Sequence, residues 1–469
     1  ELNNLCTSDD LSLIALREKI GQLSTGNVTQ ETYNKHPFLH SICKNENVTL
    51  EMVEYVLESF PGIASYQTNT FDWRDNIDDA KTASYALHCA CYNKDCPSSI
   101  IRLLSEQYTA AINWLSNMLG GVHEWNIKGL PLHYYLARKS NIDIDIVELL
   151  VEAYPQSLMT ADETWPCYPI HAAVYDSNPD DLQKVVEYLI EFNPASLRVL
   201  DGEGSTPLHL ACESKSVNLS LVQLLFNSWP EAIRISGPDG RFPIHELCHN
   251  HGIEDTTAIS ILRFMLDIDQ TIARERNGSG YLPIDYAIEG NSFEFCKVLI
   301  DEYPESIRII NGSGILPIHS ACGYYGSAAK VETIQYMLEL YPESINVRDG
   351  EGGLPIHGAA RLRRTDIIEI LLKHDPDAAS KVTENNQLRQ LPLHIACGCH
   401  YGGEEYLDTV KGLYDAFPQA IHIRNNNGQG QVPLEIARGK LFTSIVSFLE
   451  TQNVYSQKAK DSTAMHTLD

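Results

Sequence analysis

Two histidines four residues apart, with a glutamate beside the first, occur in His245-Glu246-Leu247-Cys248-His249. On a helix, positions i and i+4 share a face, so two imidazoles so placed can ligate one zinc ion. The intervening glutamate can then act as general base toward a metal-bound water. Gly252 and Asp255 follow, where a turn and a third ligand would be needed. Cys89-Ala90-Cys91 with Cys96, and Cys397-Gly398-Cys399-His400, are further candidate ligand sets, but neither pair has the two-residue gap of a zinc knuckle. The chain contains no Walker-type phosphate loop, Gly-x-Ser-x-Gly elbow or kinase motif set.

The elements that would have to position the zinc string explain it differently. His245 belongs to a phrase that recurs along the chain: Pro207-Leu208-His209-Leu210-Ala211-Cys212, Pro317-Ile318-His319-Ser320-Ala321-Cys322 and Pro392-Leu393-His394-Ile395-Ala396-Cys397. Looser copies begin at Pro37, Ala86, Pro131, Pro169, Pro243, Pro283, Pro355 and Pro433, eleven in all, spaced 34 to 49 residues apart. Such a period predicts a solenoid whose repeats bury their apolar faces on their neighbours. After each phrase comes an amphipathic run at helical spacing, such as Val147-Glu148-Leu149-Leu150 or Ile334-Gln335-Tyr336-Met337-Leu338. That helix stops at an aromatic-Pro pair: Tyr154-Pro155, Trp229-Pro230, Tyr303-Pro304, Tyr341-Pro342 or Phe417-Pro418. A linker of Gly, Asn and Asp follows, as in Asp201-Gly202-Glu203-Gly204, with residues that accept tight turns. Each repeat therefore reads as hairpin, helix, turn, helix.

Over about His36 to Leu449 this pattern resembles the ankyrin repeat family, most closely at Gly204-Ser205-Thr206-Pro207-Leu208-His209-Leu210-Ala211. The resemblance implies an all-α repeat solenoid with β-hairpin fingers, an ankyrin-repeat stack, and the repeated histidines 40, 88, 133, 171, 209, 319, 357 and 394 as ties between helix start and hairpin. The family's Thr survives only at Thr206; Tyr168, Phe242, Leu282, Leu316, Leu354, Leu391 and Val432 stand there elsewhere, where an apolar contact is expected to replace the hydroxyl cap. Asp285 and Glu435 replace the histidine. The string from His245 to Asp255 also resembles the zinc-binding helix and turn of metzincin-type proteases. Because His245 is already accounted for by the repeat, a zinc-dependent hydrolase using His245, Glu246 and His249 is the lesser alternative to a non-catalytic protein.

Composition narrows the partners. With 62 acidic and 35 basic residues the net charge is −27. Residues 1–350 carry 48 acids and 23 bases, a net −25. Such a chain is repelled by phosphate backbones and anionic lipid, which argues against nucleic acid and membrane surfaces as its main ligands. No apolar run is long enough to insert into a membrane. Of twelve cysteines, Cys43, Cys91, Cys212, Cys248, Cys322 and Cys397 occupy one slot three residues after the histidine, which predicts buried thiols and a reducing intracellular compartment, cytoplasm or nucleus. The basic cluster Arg361, Arg363 and Arg364 reads as charge compensation at a helix C-terminus.

No cofactor or metal is expected. The predicted organisation is a capping helix and lead-in over 1–35, with the helix at about 9–23, a solenoid of about eleven repeats over 36–450 closed by a last helix at about 442–450, and a polar tail over 451–469. Function is expected to lie on the surface: one or more protein partners, bound as a scaffold or within a larger complex. The resemblance implies contacts at hairpin tips, Ser205, Arg241, Tyr281 and Ile315, and at exposed first-helix positions, Tyr92, Tyr175, Glu213, His249, Glu289, Tyr324 and Arg361. Two enlarged hairpins, about 66–85 and 110–129, carry Phe71, Trp73, Trp114 and Trp125, and Trp165 lies in the next hairpin, an aromatic set suited to gripping a partner.

Overall fold

A computed structural model of the chain describes all residues except 1, 23–27, 29–32, 34–36, 67, 72–81, 85, 108–129, 139–141, 162–166, 177–178, 324–328, 385–388, 399–405, 426–429 and 466–469. It divides into two compact halves, Glu1–Pro238 and Asp239–Asp469. In each half the predicted repeat is present as a short first helix, a longer second helix and a connecting segment.

In the N-terminal half the first helices Phe38–Lys44, Ala86–Tyr92, Pro131–Arg138, Pro169–Asp176 and Pro207–Glu213 pack in succession. The second helices Leu50–Ser59, Ser98–Gln107, Ile144–Ala153, Pro179–Phe192 and Leu219–Ser228 form the other layer. The C-terminal half repeats this with first helices Pro243–His249, Pro283–Ala287, Pro317–Ala321, Pro355–Leu362, Pro392–Gly398 and Pro433–Gly439. Helices this short are unstable alone, so contacts between repeats must hold them. The apolar positions of the phrase supply those contacts: Leu208, Ala211, Ile318, Ala321, Leu393 and Ala396 are all buried.

Several first helices are fixed at one or both ends. At the start, the backbone N–H of the N-cap residue donates to the repeated histidine, as Thr206 N to His209 Nδ1 at 3.2 Å and Leu354 N to His357 Nδ1 at 2.9 Å. The histidine thus takes over a donor that the helix leaves unpaired, and it does so beside the Thr hydroxyl at Thr206, which accepts His209 N–H at 3.3 Å; where an apolar residue stands instead, only the histidine bond remains. At the helix end, a side chain of the following repeat reaches back: Asn93 Nδ2 donates to Cys43 O at 3.0 Å, Asn291 Nδ2 to Cys248 O at 2.7 Å and Thr409 Oγ1 to Arg363 O at 3.0 Å.

The aromatic-Pro pairs do more than stop the second helix. Pro155, Pro230, Pro304, Pro342 and Pro418 each open a five-residue 3-10 turn, such as Pro304–Arg308, where a fixed φ and a missing N–H cost nothing, and Pro194 after Asn193 and Pro376 after Asp375 do the same. Beyond it the hairpin closes on an Asp or Asn. Asn311 Oδ1 accepts from Ser313 N at 3.0 Å and Ile315 N at 3.3 Å, and Asp349 Oδ1 accepts from Glu351 N at 2.9 Å and Gly353 N at 2.7 Å. Gly314 sits at φ 78, where an L side chain is strained. Gly312 packs so tightly that a Cβ there would fall 1.7 Å from Ser279 O.

Three expectations change. Among the described residues, paired strands occur only in the enlarged hairpin, Thr68–Phe71 against Thr82–Ser84; fingers such as 311–315 and 349–353 are turns closed by backbone hydrogen bonds together with the Asp or Asn side chain. The opening segment is two helices, Leu2–Cys6 and Leu13–Gln22, where one over about 9–23 was expected. The last helix runs from Thr443 to Met465, so no break separates it from a tail at 451. No Pro or Gly interrupts that stretch, and propensity carries it onward.

Candidate functional site

The zinc string resolves into three different roles. His245 is buried; its Nδ1 accepts Phe242 N–H at 3.1 Å, which puts its proton on Nε2, 3.3 Å from Tyr281 O. Neither nitrogen has a lone pair left for a metal. The same double tie recurs at His319, from Leu316 N at 3.2 Å and to Val347 O at 3.0 Å, and at His394, from Leu391 N at 3.2 Å and to Ile423 O at 3.0 Å. His357 is tied in the same way, and burial pushes its imidazole down to about 4, so it stays neutral as this bonding requires; burial also lowers His171 to about 4 and His88 to about 3. Glu246 is nearly buried and pairs with Arg241 at 3.5 Å. His249 is exposed. Among the described residues no group of three His, Cys, Asp or Glu is placed to hold a metal ion.

Asp285 fills the histidine slot and does half its work. Its Oδ2 accepts Leu282 N–H at 2.8 Å and its Oδ1 accepts Asn311 Nδ2–H at 3.2 Å. Burial, against these two bonds and the nearby Arg276, lifts the carboxyl to about 7. Glu435 in the last repeat also accepts its N-cap N–H, from Val432 at 3.1 Å, but lies open enough to pair with Arg424 at 3.1 Å.

The sequence-predicted partner residues separate. Ser205 and Ile315 are buried, at 6% and 0% exposure, so two of the four expected tips point into the stack. Arg241 and Tyr281, at the same repeat position, are half-buried. Tyr175, Glu213 and Arg361 are exposed, and Tyr92 and Glu289 are partly so. Arg361 borders a shallow depression with His319, Asp349, Glu351 and His357. Its neighbour Arg363 is a correction: at φ 55 and 6% exposed, its guanidinium stacks over the rings of Tyr406 at 4.8 Å and Phe442 at 5.1 Å, so it knits repeats together instead of compensating a helix end. Arg364 pairs with Asp366 at 2.6 Å. Phe71 lies in the short strand pair. Trp73, Trp114, Trp125, Trp165 and Tyr324 lie outside the described residues.

A cluster that local patterns did not reveal joins two consecutive repeats of the C-terminal half. The Arg241 guanidinium lies 5.0 Å from the Tyr286 ring centroid. Tyr286 meets His249 edge-on at 5.6 Å, His249 meets His251 at 5.9 Å, and Tyr281 lies 5.9 Å from Tyr286. The signal was present in the period: forty residues separate Arg241 from Tyr281 and His249 from Glu289, equivalent positions on adjacent repeats.

Ten of the eleven described cysteines are buried, with Cys167 intermediate. Burial pushes the Cys89 and Cys296 thiols up to about 12 and that of Cys322 higher still, which makes them poor nucleophiles. No helix among the described residues is long and apolar enough to cross a membrane.

A family model described as ankyrin repeats (3 copies) matches residues 132–232. Among solved structures, the human ASB11 ankyrin repeat domain is similar at 18% identity, over 53% of this chain and 97% of that one, with a TM-score of 0.41. No curated protein matches.

Proposed function

The chain is an ankyrin-repeat protein, and from that premise we propose that it works as a non-catalytic scaffold, or as a subunit of a larger assembly, that holds protein partners on its exposed first-helix face and adjoining hairpins. Ankyrin repeats are protein-interaction modules. One observation carries the proposal: in the first helices, buried residues are committed to packing and backbone ties, while Tyr175, Glu213, His249 and Arg361 are exposed. Tyr and Arg are the residue types that concentrate interface energy. The tryptophans at 73, 114, 125 and 165, with Phe71, are proposed as a second grip. The buried thiols favour a reducing compartment, cytoplasm or nucleus.

Affinity purification of the full chain with mass spectrometry tests the proposal, with Tyr175→Ala and Tyr281→Ala run in parallel. Partners that are captured by the parent and lost from both variants support it. A parent that captures nothing at physiological salt overturns it.

A further inference from the structure

Glu289 lies in the turn after the first helix Pro283–Ala287, half-buried, and its side chain makes no hydrogen bond or ion pair among the described residues. In the preceding repeat Glu246 is already matched by Arg241. Next to Glu289, Gly290 lets the His251 ring lie against the backbone; a Cβ there would fall 2.5 Å from His251 Nδ1. His251 in turn stands edge-on to His249, and His249 to Tyr286, so a carboxylate borders a wall of rings. Burial pushes the Glu289 carboxyl up while His251 pulls it back, which marks a carboxylate short of compensating charge.

We propose that Glu289, with the rings of His249 and His251, forms a receptor for an arginine side chain of a protein partner. The proposal rests on the reading of the chain as a binding scaffold and names the chemistry of one of its contacts. A guanidinium suits the place on two counts. It can stack flat on an aromatic ring, and its fork matches a carboxylate through two parallel hydrogen bonds. The charge of the chain, −25 over residues 1–350, draws a cationic segment toward this surface. A free metal ion is a poorer occupant, because no three ligating groups converge among the described residues.

The test uses the full chain with its histidines labelled at Cε1, read by NMR, and n-butylguanidinium as probe against the neutral isostere n-butylurea. His249→Gln and His251→Gln assign the two signals. Saturable shifts of His249 and His251 with the cation and not the urea, weakened at least tenfold by Glu289→Gln, are expected, while His319 and His357 stay still. Equal shifts with the urea, or unchanged affinity in Glu289→Gln, overturn the proposal. Should Glu289→Gln melt below the parent, cation against urea on the parent decides alone. Guanidinium binding without any partner capture would sink the scaffold reading and leave this site standing; capture without guanidinium binding would sink this site alone.

Discussion

Along the single helix Pro243–His249, the first histidine is buried with a backbone group at each ring nitrogen, whereas the second, four residues on, is exposed among the rings of Tyr286 and His251. The contrast extends through the stack. The first-turn histidines are buried, and those at 133, 245, 319, 357 and 394 bond a backbone carbonyl of the following segment; several residues in the last turn face outward and differ from repeat to repeat, as with Tyr175, Glu213, His249 and Arg361. A metal-binding spelling can therefore arise where a structural row and a recognition row are read together as one motif.

Removing a member of the structural row should have the largest effect. His357→Ala leaves the Leu354 N–H and the Lys381 carbonyl without their partner and opens a void, a loss of about 3 kcal/mol. Urea denaturation measures it, and a loss under about 1 kcal/mol would erase the distinction between the rows.

The pH dependence of stability should differ in sign within the structural row. A histidine such as His357, whose folded pKa lies below its unfolded one, contributes stability above about 6.5 that is lost as pH falls toward about 4. Asp285 is raised from 3.8 to about 7, so its contribution is present in acid and lost as pH rises through that range. Asp285→Asn keeps an acceptor for Leu282 N–H without a charge and should stabilise the protein at pH 8 relative to pH 5, by on the order of 1–2 kcal/mol. Thermal melts of both chains at the two pH values check this; parallel curves would show that Asp285 is ionised at no cost.

In the recognition row, stability effects should be smallest. His249→Ala is expected to change stability by no more than about 0.5 kcal/mol. Zinc content, by elemental analysis, should be far below one per chain in the parent and unaltered in this variant; stoichiometric zinc lost on substitution would restore the hydrolase.

The phrase, its period and the helix pair were legible because burial forces the same residue types back at fixed intervals. The Asp and Asn turns were also legible, since their chemistry is local. Two features exceed a local reading because one residue has two uses: the proline after the aromatic both ends the second helix and begins a 3-10 turn, and Arg363, read from sequence as charge compensation at a helix end, stacks inside on Tyr406 and Phe442. Ser205 and Ile315 were placed at tips by repeat position, but a short hairpin turns small and apolar residues inward. The cluster of Arg241, His249, His251 and Tyr286 needs neighbours from adjacent repeats, which no window on one repeat contains.

The most direct test of the two rows measures partner affinity and melting temperature on the same three chains: parent, Tyr175→Ala and His357→Ala. Tyr175→Ala should lose tenfold or more in affinity, about 1.4 kcal/mol, while its melting temperature moves by about a degree or two. His357→Ala should melt lower by about 5 °C yet bind with near-parental affinity while folded. If Tyr175→Ala instead melts well below the parent and keeps its partner, the exposed row is packing, and the separation of structure from recognition is wrong.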